Sequence, residues 1–347
     1  MEDADMEFDS IIQSITSGLT GNSEKDIPYL QKQMVKYKNH EMAKEILRAC
    51  GRLLYQCLPD DKKTAMGKVI DNDLTSYASV LEEVRFKQHE KKYDEALVLL
   101  ESLIHKIEAM NLFEDDQVSE YHCFNEFFEE ALFRMNTKPA KDIRYADLPL
   151  DQIYTQYGSL LIDLKRPKDA AAALGKAMRW NPGNADIAFE HAEAYKLQGD
   201  MEAFYRLTID LFKYAFRPKQ VARCFRNLGY YFTEKKQWEE SVACYTMSLQ
   251  YDNESSMAMS ELYYIQQKAG RFFNPPGMDY LRKISEKYGF PVGADPDVLG
   301  LSFAYGKHFA EKGDAAGARY CWQITYDLTQ DEDIRKMIDE LPVPDDK

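Results

Sequence analysis

The sequence predicts an all-α protein built from antiparallel helix pairs, and three observations carry that prediction. Apolar residues recur three and four apart, as in Met42, Ile46, Leu47, Cys50, Leu53, Leu54 and Cys57, and alternation with period two is absent over any useful length. The breaks between such stretches are short and hold helix-ending residues: LPDD from 58, RPKD from 166, NPGNAD from 181, QGD from 198 and KGD from 312. Connections this short set neighbouring helices antiparallel. Third, a set of glycine, aromatic and small residues recurs at a spacing of about 34 residues, a period that belongs to arrays of stacked helical hairpins.

Composition bounds what such a chain can do. With 347 residues, 45% hydrophobic and 13% aromatic, there is ample material for a packed core. The formal charge of -14, from 44 basic and 58 acidic side chains, disfavours nucleic acid, and no basic run offsets it. No apolar run is long enough to cross a bilayer, and the acidic start MEDADMEFDS is unlike a targeting sequence, so a cytoplasmic location is expected. The six cysteines are scattered and never form CxxC, which fits reduced thiols packed as small hydrophobes.

Taken in chain order, the first 20 residues are expected to fray. Segments 26–38 and 40–58 read as a helical pair, and 77–110, with Tyr93, Ala96, Leu100 and Leu103, as a divergent hairpin. EYHCFNEFFEEALFRM reads as a single helix. NTKPAKDIRYADLPLD reads as an extended segment anchored by Ile143, Tyr145 and Leu148. The domain reading is therefore 1–150, an N-terminal helical region, and 151–347, a repeat array ending in the frayed tail VPDDK, with one continuous superhelix running through both.

The repeat units are best seen in 222–255, where Phe225, Leu228, Gly229, Phe232, Trp238, Ser241, Tyr245, Ser248 and Leu249 occupy positions 4, 7, 8, 11, 17, 20, 24, 27 and 28. Segment 151–184 matches with Tyr154, Tyr157, Gly158, Leu161, Ala170, Leu174, Ala177 and Pro182. Segment 185–218 is degenerate, with Ala192, Tyr195, Gly199 and Leu211 in place but Phe204 where a small residue is usual. A further unit from 299 offers Tyr305, Gly306, Phe309, Gly313, Ala318, Trp322 and Tyr326. Between them, 256–298 is irregular: Met259, Leu262, Tyr263 and Gly270 keep register, but Pro275 and Pro276 delay the second helix to about Met278, leaving 271–277 as a protruding loop. Gly229 and Ser241 sit where the paired helices come closest, with Phe232, Trp238 and Tyr245 filling the space beside that contact.

This pattern resembles the tetratricopeptide repeat family over about 151–330. The resemblance implies a right-handed α-solenoid of antiparallel helix pairs whose first helices line a concave groove. It places in that groove Gln152, Thr155, Gln156 and Ser159; then Phe189, Glu190, Glu193 and Lys196; then Arg223, Arg226, Asn227 and Tyr230; then Tyr264 and Gln267; then Phe303 and Lys307. Arg223, Arg226 and Asn227 suit a carboxylate or an extended peptide backbone, and Tyr230, Tyr264 and Phe303 add apolar contact. The alternative is that the arginines pair with Glu190 or Glu193. The two-carboxylate clamp of chaperone-binding members is absent: its places hold Thr155, Ser159, Glu190, Arg223 and Asn227 in one register, and Phe189, Glu193, Asn227, Met257 and Glu261 in the next.

No HExxH, GxSxG, SxxK or glycine-rich phosphate loop occurs, so no catalytic residue, metal or cofactor is expected. The nearest metal constellation would be His122 and Glu126 four apart on one helix, joined by Glu129 or Glu130; His191 with Glu193 lacks a partnering PCxxC. The expected function is a non-enzymatic scaffold that binds a protein or peptide, not nucleic acid or membrane. The alternatives are a peptide-sensing regulator, or an enzyme built around His122 and Glu126.

Overall fold

The computed structural model describes residues 2–59, 77–110, 113–274 and 276–342. The tail VPDDK, the end of LPDD and Pro275 lie outside these residues. The chain divides into two compact units, one formed by 1–123 with 139–153 and the other by 124–138 with 154–347. Residues 124–138, grouped above with the N-terminal region, thus belong to the second unit. Among the described residues no helix is long and apolar enough to cross a membrane. The six cysteines are free, and five of them are buried.

In the first unit, α1 (Glu2–Ser17), α2 (Ser23–Lys36) and α3 (Ala43–Cys57) close around Ile15, Leu30, Met42, Ile46 and Cys50. Helix α1 packs on α3, so the expected fraying of the first 20 residues is not what the structure shows: Ile15 is fully covered, and burying it offsets the entropy of ordering that helix. A hairpin follows from α4 (77–89) and α5 (Tyr93–Met110), with Leu81, Val84, Ala96 and Leu100 buried. The loop 114–119 is tied to α3, where Arg48 donates to Asp116 at 3.1 Å and Glu45 accepts from the Gln117 amide at 2.9 Å.

Two short strands, β1 (Ser119–His122) and β2 (Asp142–Tyr145), pair in parallel, Ser119 opposite Asp142 and His122 opposite Tyr145. This corrects the expectation of a single helix over EYHCFNEFFEEALFRM: its first three residues lie in a strand, 123–126 are irregular, and only α6 (Phe127–Thr137) is helical. Tyr121, Phe124 and Phe127 imitate helical spacing, and four residues are too few to display a period of two. The segment around β2 is extended as expected, with Leu148 buried, but Tyr145 is exposed.

The second unit is an all-α solenoid of antiparallel pairs: α7 (Leu150–Asp163) with α8 (Pro167–Trp180), α9 (Ala185–Gln198) with α10 (Met201–Leu211), and α11 (Pro218–Glu234) with α12 (Trp238–Tyr251). After them come α13 (Ser256–Ala269), α14 (Met278–Tyr288), α15 (Pro296–Glu311), α16 (Ala315–Thr329) and α17 (Glu332–Asp339). Two repeat positions explain these hairpins. At position 8, a Cβ on Gly158 would stand 2.4 Å from Leu174, one on Gly229 2.7 Å from the Tyr245 ring, and one on Gly306 2.2 Å from the Trp322 ring. The obstructing residue is always at position 24, so the first helix gives up its side chain wherever the second keeps a large one. In 185–218 the compromise is shared: Ala192 and Thr208 hold these positions, and both are fully buried. The Gly229 carbonyl also accepts from Ser241 Oγ at 2.8 Å, so that closest approach is as expected.

At position 15 every hairpin turns through the left-handed region, with φ of 60° at Lys91 and Lys165, 79° at Gly199, 57° at Lys236, 66° at Gly270 and 77° at Gly313. The backbone demand is constant, and the residue meeting it is glycine in three cases and lysine in three. The presence of Lys91 in this series gives 77–110 the turn geometry of the later units.

The irregular unit differs from expectation. Helix α14 starts at Met278, but it packs on α12 instead of closing against α13: Leu281 and Ile284 join the main core with Phe212, Phe225 and Phe290, and Tyr205 donates to the Tyr288 carbonyl at 2.5 Å. Helix α13 packs chiefly on α12, burying Ala258 and Ile265. The cause lies at position 8. Tyr263 stands where its counterparts are Gly or Ala, and a tyrosine there excludes a second helix from close approach. Tyr263 is consequently 64% exposed, so the register match claimed for it marks the break in the ladder. The ladder of hairpins is therefore interrupted at this unit. Helices α15 and α16 pair with each other, and α15 packs on α6 through Phe127, whose ring meets Tyr305 at 4.9 Å and Phe309 at 5.6 Å.

Candidate binding wall on the first helices

Helices α9, α11 and α13 are consecutive first helices of the second unit, spaced by α10 and α12. Their outward positions carry the candidate residues. Phe189 is fully buried, and the guanidinium of Arg223 lies over its ring at 4.7 Å; it is core and offers a ligand nothing. Arg223 donates to Glu190 at 2.9 Å. Arg226, with 15% of its side chain exposed, donates to Asp252 at 3.0 Å, at the C-terminal end of α12. Asn227 makes only a long contact with Thr208, 3.4 Å. The basic centre expected from the sequence is therefore spent on internal pairing. For Arg223 the partner is one of the two carboxylates named in the alternative, and for Arg226 it is a cap residue that lies outside the position rule for the groove.

The aromatic residues fare differently. Tyr230 is half-buried, edge-on to Phe204, with the Lys196 ammonium 4.8 Å from its ring centre. Tyr264 is exposed, with Lys268 over its ring at 5.4 Å, and Gln267 beside it is exposed too. Around Tyr230 stand Glu193, Glu234 and Glu261; burial chiefly, and then these carboxylates, push its hydroxyl above the ordinary tyrosine range. Glu193 pairs with Lys196 at 2.6 Å. Among the described residues Glu234 makes no ion pair, and Glu261, pushed above the usual carboxylate range by burial with Glu234 adding to it, is offset only in part by Lys196. Lys268 likewise makes no ion pair among the described residues, so the uncommitted charge on this wall is two carboxylates against one ammonium.

Phe303 and Lys307 are exposed, but they belong to α15, which packs on α16 and α6 and not on α13. The structure does not bring them to the wall. Glu234 and Glu261 were legible: they occupy positions 13 and 6 of their units, the same outward set that picked Tyr230 and Tyr264. The metal constellation does not form as a helical face. His122 is on β1 and Glu126 precedes α6, so the four-residue helical relation between them fails. Glu129 is buried and accepts from Asn181 at 2.9 Å and Asn184 at 2.7 Å.

The fold and the wall together define a tetratricopeptide-like solenoid, on the strength of its own repeat geometry at positions 8, 15 and 24. No protein-family model matches the chain, and no curated protein matches it. Among solved structures, the TPR2AB domain of yeast Sti1 in its pHSP90 complex is 13% identical at a TM-score of 0.32, over 52% of this chain and 64% of that one. PilF of Pseudomonas aeruginosa is 12% identical at 0.39, over 76% and 96%. The apo form of RapI is 11% identical at 0.39, over 97% and 98%. This chain spans less than two thirds of the Sti1 chain, and likeness at this level carries no argument about activity or partners.

Proposed function

We propose that the chain is a non-enzymatic scaffold that binds a protein or peptide segment along α9, α11 and α13, and that the segment is basic. One observation carries this: Tyr230 and Tyr264 lie on successive first helices beside Glu234 and Glu261, carboxylates without an ion-pair partner among the described residues, while Arg223 and Arg226, which would attract an acidic ligand, are already paired. A lysine or arginine side chain gains a carboxylate at such a place, beside tyrosine rings that already hold Lys196 and Lys268 over one face. The fit is to a cationic segment with an apolar residue nearby, which reverses the carboxylate ligand expected from Arg223 and Arg226.

The test is fluorescence anisotropy with a set of labelled peptides in which lysine or arginine at each position is exchanged for glutamate. Cationic peptides are expected to bind, Tyr264→Ala to weaken them, and Glu234→Lys with Glu261→Lys to abolish them at unchanged helicity. Preferential binding of the glutamate series, or binding indifferent to these changes, overturns the proposal.

A further inference from the structure

A second concavity lies in the same unit, away from the wall. It is a cleft of about 650 Å³ between the start of α11, the end of α12 and the outer side of α16. Its apolar lining is made by Phe216, Tyr251, Tyr320 and Ile324. These side chains are held in place. Tyr251 stacks parallel to Phe225 and accepts from the Ala294 amide at 2.9 Å, and Tyr320 donates to Glu126 at 2.6 Å. The cleft runs on into a neighbouring one of about 510 Å³, with which it shares Pro218, Tyr251 and Asp327, and whose lining adds Met247, Met278 and Leu328. Both volumes fall within the few hundred to about 1,000 Å³ of small-molecule sites.

The charge at the mouth is the reverse of the protein's. Arg217, Lys219 and Arg319 stand there against two carboxylates, Glu126 and Asp327, in a chain of net charge -14. Glu126 is committed to Arg217 at 2.5 Å and to Tyr320, and Asp327 accepts from Gln323 at 2.7 Å. Lys219 is exposed and has no ion-pair partner among the described residues. Arg319 reaches the carbonyls of Leu341 and Pro342 only at 3.3 and 3.4 Å, and its Nε is buried with no acceptor. A buried donor left unsatisfied is costly.

We propose that this cleft binds a small amphipathic carboxylate. Its head sits between Lys219 and Arg319, and its acyl body extends past Tyr251 toward Met247 and Met278. The pairing follows from an apolar trough where, once Arg217 and Glu126 are paired, two cations, Lys219 and Arg319, stand against the single carboxylate of Asp327. The cleft shares α11 with the wall, but its lining residues are distinct from the candidate wall residues.

Isothermal titration of the full chain with dodecanoate tests it, with dodecyltrimethylammonium as the charge-reversed control and acetate as the control without a body. Dodecanoate is expected to bind with one-to-one stoichiometry and the two controls not to bind. Lys219→Glu, a change at an exposed position, is expected to weaken binding about tenfold or more. Gln323→Trp, also exposed, is expected to block the mouth while melting like the parent. Absence of dodecanoate binding, equal binding of the ammonium surfactant, or binding unmoved in both variants overturns the proposal.

Discussion

Two glycines six residues apart on α15 should respond to the same substitution with opposite signs. At Gly300 an added Cβ meets nothing within 4 Å, and at Gly306 it would stand 2.2 Å from Trp322 Cδ1 and 2.4 Å from its Nε1. Carbon atoms in contact normally lie about 3.5–4 Å apart, so one partner must move by more than about 1 Å. Trp322 is 5% exposed and packed with Ala318, Ile334 and Ile338, and its indole N–H donates to the Phe303 carbonyl at 3.3 Å, so little slack exists. Replacing glycine by alanine in a helix interior gains about 0.5–1 kcal/mol, which is all that Gly300→Ala should show. Gly306→Ala gains the same amount, but overpacking costs about 1–3 kcal/mol and a strained indole hydrogen bond about 1 kcal/mol more, for a net loss of about 1–3 kcal/mol. Urea unfolding followed by circular dichroism measures both, and tryptophan fluorescence should shift only in Gly306→Ala. If Gly306→Ala is as stable as Gly300→Ala, the close approach at position 8 is wrong, and with it the account of why α13 and α14 separate.

Four further expectations use the same geometry. Lys236→Gly and Lys165→Gly relieve left-handed strain of about 1–2 kcal/mol against glycine's added chain entropy, so each should stabilise by about 0.5–1 kcal/mol in the same urea assay. Tyr263→Ala, at the exposed position 8 of the open unit, should change stability by less than about 0.5 kcal/mol, whereas a tyrosine wedged in a closed hairpin would cost several times that. Glu129→Ala strips the acceptor from Asn181 and Asn184, and from the Asn125 amide at 2.8 Å; the loss should be on the order of 3 kcal/mol, read as a lower urea midpoint at unchanged slope. Burial pushes the thiols of Cys224 and Cys244 well up, so both should resist a disulfide reagent in the native protein and react on unfolding, while half-buried Cys57 reacts first.

The open unit shows how far a pattern can mislead when only identity of residue class is scored. Met259, Leu262, Tyr263 and Gly270 look like a unit in register, and the turn at Gly270 does adopt the left-handed geometry of its counterparts. What fails is a single size requirement at Tyr263, visible only once the closest contact is known to lie at position 8. The binding wall had a similar fate. Position in the repeat marked Arg223 and Arg226 as outward; Arg223 takes the Glu190 partner that the sequence offered as the alternative, and Arg226 takes Asp252 from the cap of α12, which it did not.

The sequence by itself determined the helical class, the second-unit hairpins and their turns, because helix periodicity, capping residues and the demands of positions 8, 15 and 24 act within about 34 residues of chain. Only the tertiary structure decided that Ile15 holds α1 in place, that Ser119–His122 becomes a strand by meeting Asp142–Tyr145, that α6 joins the later helices, and that α14 leaves α13 for α12. Each of these is a choice of partner among surfaces far apart in sequence. Such a choice is made by which apolar faces and unpaired charges fit together, and local spacing does not encode it.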